Sequence, residues 1–213
     1  MPLELLPATA ADARLAIQIR KAAYDKNPFL RILFPVPPSP EAIEFVAQDL
    51  EWKLARENSN CRAYKVVDTD IEDAEQTMIA FAKWDINNPK PEQPPKSTGN
   101  HGYGPGSNDA ACRLVFDSLQ ERRDRIIGDR PHVYLDTLYT DPLQQKRGAG
   151  GLLVKQCLEE AKALGIPTWV ESSEAAHKLY LKCGFRDVDL HAVDLSQWDA
   201  PDLHQTWLMI REL

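Results

Sequence analysis

Apolar residues along this chain recur at two spacings, every second residue in some stretches and every third or fourth in others, and the switch between them marks out strands and helices. Leu3 and Leu5 alternate with polar or neutral neighbours, which predicts a first strand over residues 3–7. Thr9 with Asp12 three positions on has the form of a capping box, and Leu15, Ala16, Ile19 and Ala23 carry helical spacing to about residue 25. Pro28, Pro35, Pro37, Pro38 and Pro40, with Phe29 and Phe34 among them, predict an irregular loop with apolar anchors over 27–40, the kind of segment that often lines a site. Ser39 before Pro40 then opens a helix whose Ile43, Val46, Ala47, Leu50 and Leu54 form one buried stripe. Residues 61–67 and 76–86 read as an antiparallel pair joined by an acidic turn over 68–75, with Trp84 expected in the core rather than against a substrate.

From 87 to 106 the pattern breaks into interleaved prolines and glycines, which predicts a flexible insertion. Helical spacing returns over 108–127 through Ala111, Cys112, Val115, Phe116 and Leu119. The block 86–131 reads either as a lid beside the site or as a solvated decoration. An apolar strand over 132–140 follows, then a proline turn, a glycine-rich loop and a helix to Leu164 with Leu153, Cys157, Ala161 and Leu164 on one face, stopped by Gly165 and Pro167. A short strand over 167–172, a helix over 173–183 ended by Gly184, and strands over 185–195 and 203–211 complete the chain. The order predicts an α/β (α+β) fold: one domain over 1–213, a mixed sheet of about six to seven strands, helices on both faces and the insertion before the fourth strand.

Composition changes this picture little and narrows the function. The chain has 213 residues, long enough for a substantial core, and no apolar run of the ~20 residues that a membrane helix needs. Its start lacks the basic and apolar parts of a secretory signal, and Cys61, Cys112, Cys157 and Cys183 form no Cys-x-x-Cys pair. Free thiols in a reducing compartment are expected, cytoplasmic or nuclear. A net charge of −7 argues against nucleic acid and fits a cationic substrate slightly better. The five histidines form no close pair, so no metal is expected.

The chemistry concentrates at the strand–loop–helix junction. A strand that ends at Asp141-Pro142, crosses Gln144-Gln-Lys-Arg-Gly-Ala-Gly-Gly151 and enters a helix gathers backbone N–H groups at a positive dipole end, where an anion is favoured. Lys146 and Arg147 add charge and point to a phosphate. No P-loop run is present, and the dinucleotide pattern fails because its third glycine position is Leu153. What remains, Gln145-x-x-Gly148-x-Gly150, resembles the signature of the GNAT superfamily of acyl-CoA-dependent N-acetyltransferases. A second stretch, Ala176-His-Lys-Leu-Tyr-Leu-Lys-Cys-Gly-Phe185, is similar to that family's Ala-x-x-Leu-Tyr-x-Lys-x-Gly-Phe segment, in the same order.

The resemblance is specific over 132–185, which it marks as the acetyl-CoA-binding core. It implies transfer of an acetyl group from acetyl-CoA to a primary amine of a small molecule or a protein, by direct attack in a ternary complex, with no metal. It implies that amides of the loop, from Gln145, Lys146 and Arg147 through Gly148, Ala149, Gly150 and Gly151, hold the pyrophosphate. It implies that main-chain groups of Leu138, Tyr139 and Thr140 hold the pantetheine and acyl carbonyl where the fourth strand splays from the fifth, and that Tyr180 is the general acid. One departure is Glu174, where the family often has Asn. The base stays open. Asp136 is a carboxylate two residues before Leu138, hence expected on the same face and raised by burial; Glu171 is the rival, and a water chain or a structural ion-pair role for either carboxylate is also open. His132 and His177 look less suitable, the second because it is expected to face solvent. A non-catalytic acyl-CoA sensor and a nicotinamide-dependent oxidoreductase are the competing functions.

Overall fold

The computed structural model describes residues 2–56, 60–71, 77–88, 103 and 106–213. The expected insertion loop lies mostly outside these residues, as does half of the acidic turn. The elements follow the sequence pattern closely. Strands β1 (Leu3–Pro7), β2 (Cys61–Asp68), β3 (Met78–Asn87), β4 (His132–Thr140), β5 (Thr168–Ser172), β6 (Arg186–Val193) and β7 (His204–Arg211) form one sheet in the order β1-β2-β3-β4-β5-β7-β6. Only β4 and β5 run parallel; every other neighbouring pair is antiparallel.

The helices are α1 (Ala13–Tyr24), α2 (Pro28–Leu33), α3 (Pro40–Ala55), α4 (Asp109–Cys112), α5 (Ser118–Ile126), α6 (Ala149–Leu164) and α7 (Glu174–Lys182). Helix α1 begins at the expected capping box, where Asp12 accepts from the Thr9 amide at 2.7 Å, and α3 begins where Ser39 accepts from the Ala42 amide at 3.2 Å. The expected irregular loop over 27–40 is corrected here, because its first half is α2. Asn27 accepts from the Phe29 and Leu30 amides and Pro28 occupies the first helical position, so the proline that suggested a loop is a helix start. Between α4 and α5 the chain winds one π turn, Arg113–Asp117, so 108–127 is helical with a widened middle.

Two cores flank the sheet. On one face α6 presents Leu153, Val154, Cys157 and Ala161 to Ala80, Ala82, Trp84, Val133, Leu135 and Met209. Trp84 is fully buried there and donates to Glu160 at 3.0 Å, which places it in the core as expected. On the other face α1 and α3 pack Ala16, Ile19, Ala47 and Leu50 against Val67, Phe81 and Tyr139. Farther along that face α5 sets Leu119, with Ile127 just beyond it, against Trp169, Leu208 and Ile210. The helical part of the insertion is therefore built into the core. Removing a side chain such as Leu119 should cost about 2–5 kcal/mol, as for other large-to-small core changes.

Candidate active site

The site grows from two irregularities in β4. The first is a bulge: Lys83 pairs with Thr137 and Trp84 with Leu135, so Asp136 is an extra residue between them. The second is the early end of the β4–β5 pairing. Val133, Tyr134 and Leu135 pair with β5, but the pairing stops at Leu135–Val170, and Glu171 and Ser172 pair with β7. Residues 136–140 thus have β3 on one side and an open gap on the other. The Asp141 amide donates to the Ile79 carbonyl at 2.8 Å, which fixes the alternation along this edge. Leu138 and Thr140 turn their N–H and C=O groups into the gap, whereas Tyr139 turns its own toward β3. The expectation that all three residues offer main-chain groups is corrected for Tyr139, whose ring stacks on Phe81 in the α1/α3 core.

Directly after β4 comes the loop expected to form the anion cradle. Asp141 accepts from the Leu143 amide at 2.8 Å and holds a short turn over Pro142–Gln144. Lys146 then sits at φ +62° and Gly148 at φ +94°. The left-handed conformation costs a non-glycine residue about 1–2 kcal/mol, so Lys146 stores strain beside the cradle while Gly148 is free of it. No side chain caps α6. Leu152 is the first residue of the helix to reach back, to the Gly148 carbonyl at 3.2 Å, which leaves the amides of Ala149, Gly150 and Gly151 without intrahelical acceptors. Gly150 sits at a close approach: a Cβ there would lie 3.2 Å from a Leu179 methyl, which would have to give way slightly, and 3.7 Å from one of Leu138. That contact joins the cradle, the open edge of β4 and helix α7 at one place.

Tyr180, next to Leu179, is 4% exposed among Ala149, Cys157 and Phe185, and its hydroxyl makes no hydrogen bond among the described residues. Burial pushes the phenol well above its ordinary range, with Tyr24, Cys157 and Cys183 adding to the rise, so it is fully protonated at neutral pH.

On the opposite face of the sheet lies a cavity of about 540 Å³. It is bounded by α1, α2, α3, the insertion helices and the ends of β4, β5 and β7, and Asp136, Glu171, Tyr134 and Lys83 all reach it. The gap between β4 and β5 separates this cavity from the side that carries the cradle and Tyr180.

Residues 30–185 match the model of the acetyltransferase (GNAT) family. The chain belongs to this family. Solved structures with the same fold include the polyamine N-acetyltransferase of Drosophila melanogaster, an enzyme that forms N-acetylagmatine, at a TM-score of 0.68 and 15% identity over 100% of both chains. The PaiA N-acetyltransferase of Thermoplasma acidophilum, in complex with coenzyme A, matches at 0.55 and 15% over 100% of both chains. NAA60 of Arabidopsis thaliana, in complex with a bisubstrate analogue, matches at 0.57 and 16% over 99% of this chain and 97% of that one. At these identities the likeness is one of fold. Among the described residues no group of three or more His, Cys, Asp or Glu is placed to hold a metal, and no helix is long and apolar enough to cross a membrane.

Within this GNAT frame several expected site residues stand differently. Arg147 does not lend its charge to the cradle, because its guanidinium is 2.6 Å from Asp68 and also donates to Gln144. Asp68 is held below the usual carboxylate range by the Asp70 amide and by Arg147. The pair ties the loop to the end of β2, and Lys146, exposed with Gln145, is the cation left facing outward. Asp136 does not share a face with Leu138. The bulge shifts the alternation, so Leu138 joins the α6 core while Asp136 faces Lys83 at 2.6 Å on the cavity side. Burial pushes its carboxyl up, but the Lys83 ammonium outweighs that and holds it below the ordinary range, the reverse of the expectation.

Glu171 shows the property expected of Asp136. Its side chain is 9% exposed, and burial raises its carboxyl even though Arg123 opposes the rise from 3.3 Å. Trp169 donates to one oxygen at 3.2 Å and Tyr134 to the other at 3.1 Å. Neither Tyr134 nor Arg123 is expected from the sequence as a partner of Glu171. Tyr134 is legible in principle, as a residue on the Asp136 side of the strand that ends at the loop; Arg123, delivered from the insertion helix, carries no signal. His132 is buried and bonded to the Arg130 carbonyl and Asn87, away from the gap. His177, expected to face solvent, is partly buried instead, stacked on Trp207 and 2.8 Å from Asp187. Glu174 is exposed in the first turn of α7.

Proposed function

We propose that this protein transfers the acetyl group of acetyl-CoA to a primary amine by direct attack in a ternary complex. The observation that carries the reading is the gap between β4 and β5, with an anion cradle on one side and a small-molecule-sized cavity on the other. The residues present fit acetyl-CoA. The free amides of Ala149, Gly150 and Gly151 suit a pyrophosphate, the outward N–H and C=O groups of Leu138 and Thr140 suit an extended pantetheine arm paired like a strand, and acetyl-CoA brings a thioester whose sulfur is the leaving group. Support comes also from the family match and from the two sequence motifs.

Each remaining need of the reaction has a residue. Tyr180 holds a proton beside the gap on the cradle side. The desolvation that keeps its phenol neutral would equally disfavour a thiolate next to it, so protonation of sulfur is favoured by the same burial. Glu171, raised by burial and in contact with the Tyr134 hydroxyl on the cavity side, is the candidate to take a proton from the incoming ammonium, directly or through Tyr134 or a water. Asp136, paired with Lys83 and lowered, serves better to fix the bulge that opens the gap.

The test is release of free thiol from acetyl-CoA with a panel of primary amines. Tyr180→Phe keeps the ring and removes the proton, so acetyl-CoA affinity should hold while turnover falls by roughly 10²–10⁴. Equal turnover in variant and parent would make Tyr180 a packing residue; binding without turnover on any amine would leave a sensor.

A further inference from the structure

Rings contribute to the cavity wall, among them Tyr24, Phe29, Phe81, Phe116, Tyr134 and Tyr139, beside aliphatic and polar side chains. Its volume of about 540 Å³ lies within the ~300–1,000 Å³ typical of small-ligand sites. Three carboxylates reach it, and each already has a cation. Asp49 is 2.6 Å from Lys53, Asp136 is 2.6 Å from Lys83, and Glu171 is 3.3 Å from Arg123. Arg20 lines the same space and has no ion pair among the described residues. Among the lining residues three cations, Arg20, Lys53 and Lys83, stand against these three carboxylates, so the wall offers no excess negative charge.

That balance discriminates between amines. A second ammonium on the acceptor would leave water, find no unpaired carboxylate and share the space with Arg20. An aromatic body gains instead, because apolar area leaves water at ~25 cal/mol per Å² and rings pack on rings. We propose that the acceptor is a monoamine with an aromatic body, of the arylalkylamine type, and not a polyamine, although one fold relative acts on polyamines. The proposal rests on the acetyl-transfer reading for its reaction and on the cavity alone for its binding preference. In the reaction the amine nitrogen bonds to the acetyl carbon and the C–S bond breaks. The ammonium gives up two protons in becoming an amide; one goes to the departing sulfur and one to solvent.

The experiment compares 2-phenylethylamine with spermidine in two measurements, calorimetric binding to the protein saturated with coenzyme A and thiol release from acetyl-CoA. Phenylethylamine should bind at least about tenfold tighter and show a kcat/KM at least about tenfold higher. Equal or better binding of spermidine overturns the proposal, and so does failure of phenylethylamine to bind at millimolar concentration. If phenylethylamine binds tighter and neither amine releases thiol, the preference stands and the acetyl-transfer reading falls; if thiol is released with spermidine favoured, the reverse holds. Lys53→Ala uncovers Asp49 and should narrow the binding ratio by about two- to fivefold, the size of a partly exposed charge pair. An unchanged ratio would overturn the charge argument.

Discussion

Arg123→Met isolates the one long-range charge that the insertion helix brings to the site. The substitution keeps an unbranched apolar chain over the Tyr134 ring, whose centre lies 4.6 Å from the guanidinium carbon, and removes the cation 3.3 Å from Glu171. Because the Glu171 side chain is only 9% exposed, water screens the pair weakly, and an opposite charge at this distance is worth ~1–3 pKa units. Arg123 lowers a carboxyl that burial raises, so its loss sends Glu171 further up. If Glu171 must be ionised to accept the proton, the acid limb of kcat/KM against pH should move to higher pH by ~1–3 units. The assay is thiol release over about pH 5 to 10 with one amine for both proteins, so the amine's own ionisation contributes equally. A partly unfolded variant would lose amplitude at every pH without moving the limb. Superimposable limbs, or a limb displaced to lower pH, would refute either the assignment of Glu171 as base or its coupling to Arg123.

Gly150→Asp should weaken acetyl-CoA binding by at least tenfold, ~1.4 kcal/mol by calorimetry, because it adds an anion to the cradle and a Cβ 3.2 Å from Leu179; unchanged affinity would remove the pyrophosphate from this loop. Asp136→Asn should leave the shape of the pH profile parallel to the parent's and lower the urea midpoint instead. The loss should be about 1–3 kcal/mol, below that for a fully buried pair because the Asp136 side chain is 35% exposed. Since the folded carboxyl is held below its unfolded value, that stabilisation is present above about pH 4 and is lost as pH falls through the folded pKa, so parent and variant should converge in acid. A selective loss of activity at low pH with unchanged stability would return the base to Asp136.

The features legible in the sequence are local and periodic. The alternation in β2 and β3, the capping box at Thr9, the Ser39-Pro40 start and the glycine stop at Gly165 each depend on neighbours within a few residues, and each appears where the pattern places it. The cradle is legible for the same reason, since a strand, a turn and a helix start lie side by side in the chain. Features set by distant partners are not. Arg147 reads as a phosphate ligand until Asp68, on another strand, is seen to hold it. Glu171 and Asp136 read as interchangeable carboxylates until Arg123 and Lys83 are placed beside them. The six-residue helix α2 is missed when prolines are counted rather than positioned, because Asn27 before Pro28 is a helix start.

The bulge at Asp136 explains why the face assignment had to fail. Residues 132–140 carry no glycine or proline to announce an extra residue, and two-residue counting from Leu138 runs straight through it. The partner strand reveals it, because Lys83 and Trp84 are adjacent in β3 while their partners Thr137 and Leu135 are not adjacent in β4. A bulge bends its strand, and this one lies immediately past Leu135, where β4 stops pairing with β5. The residue it displaces is a carboxylate half out of water, and Lys83 meets it from the same face of β3 as Phe81. On the proposed reading Asp136 has a structural task, holding the bend that opens the gap, and proton transfer falls to a carboxylate whose burial is less completely compensated. The base is accordingly to be sought on the strand beyond the gap, at Glu171, and the Arg123→Met and Asp136→Asn pH profiles should differ in kind: a displaced limb in the first and a parallel curve in the second.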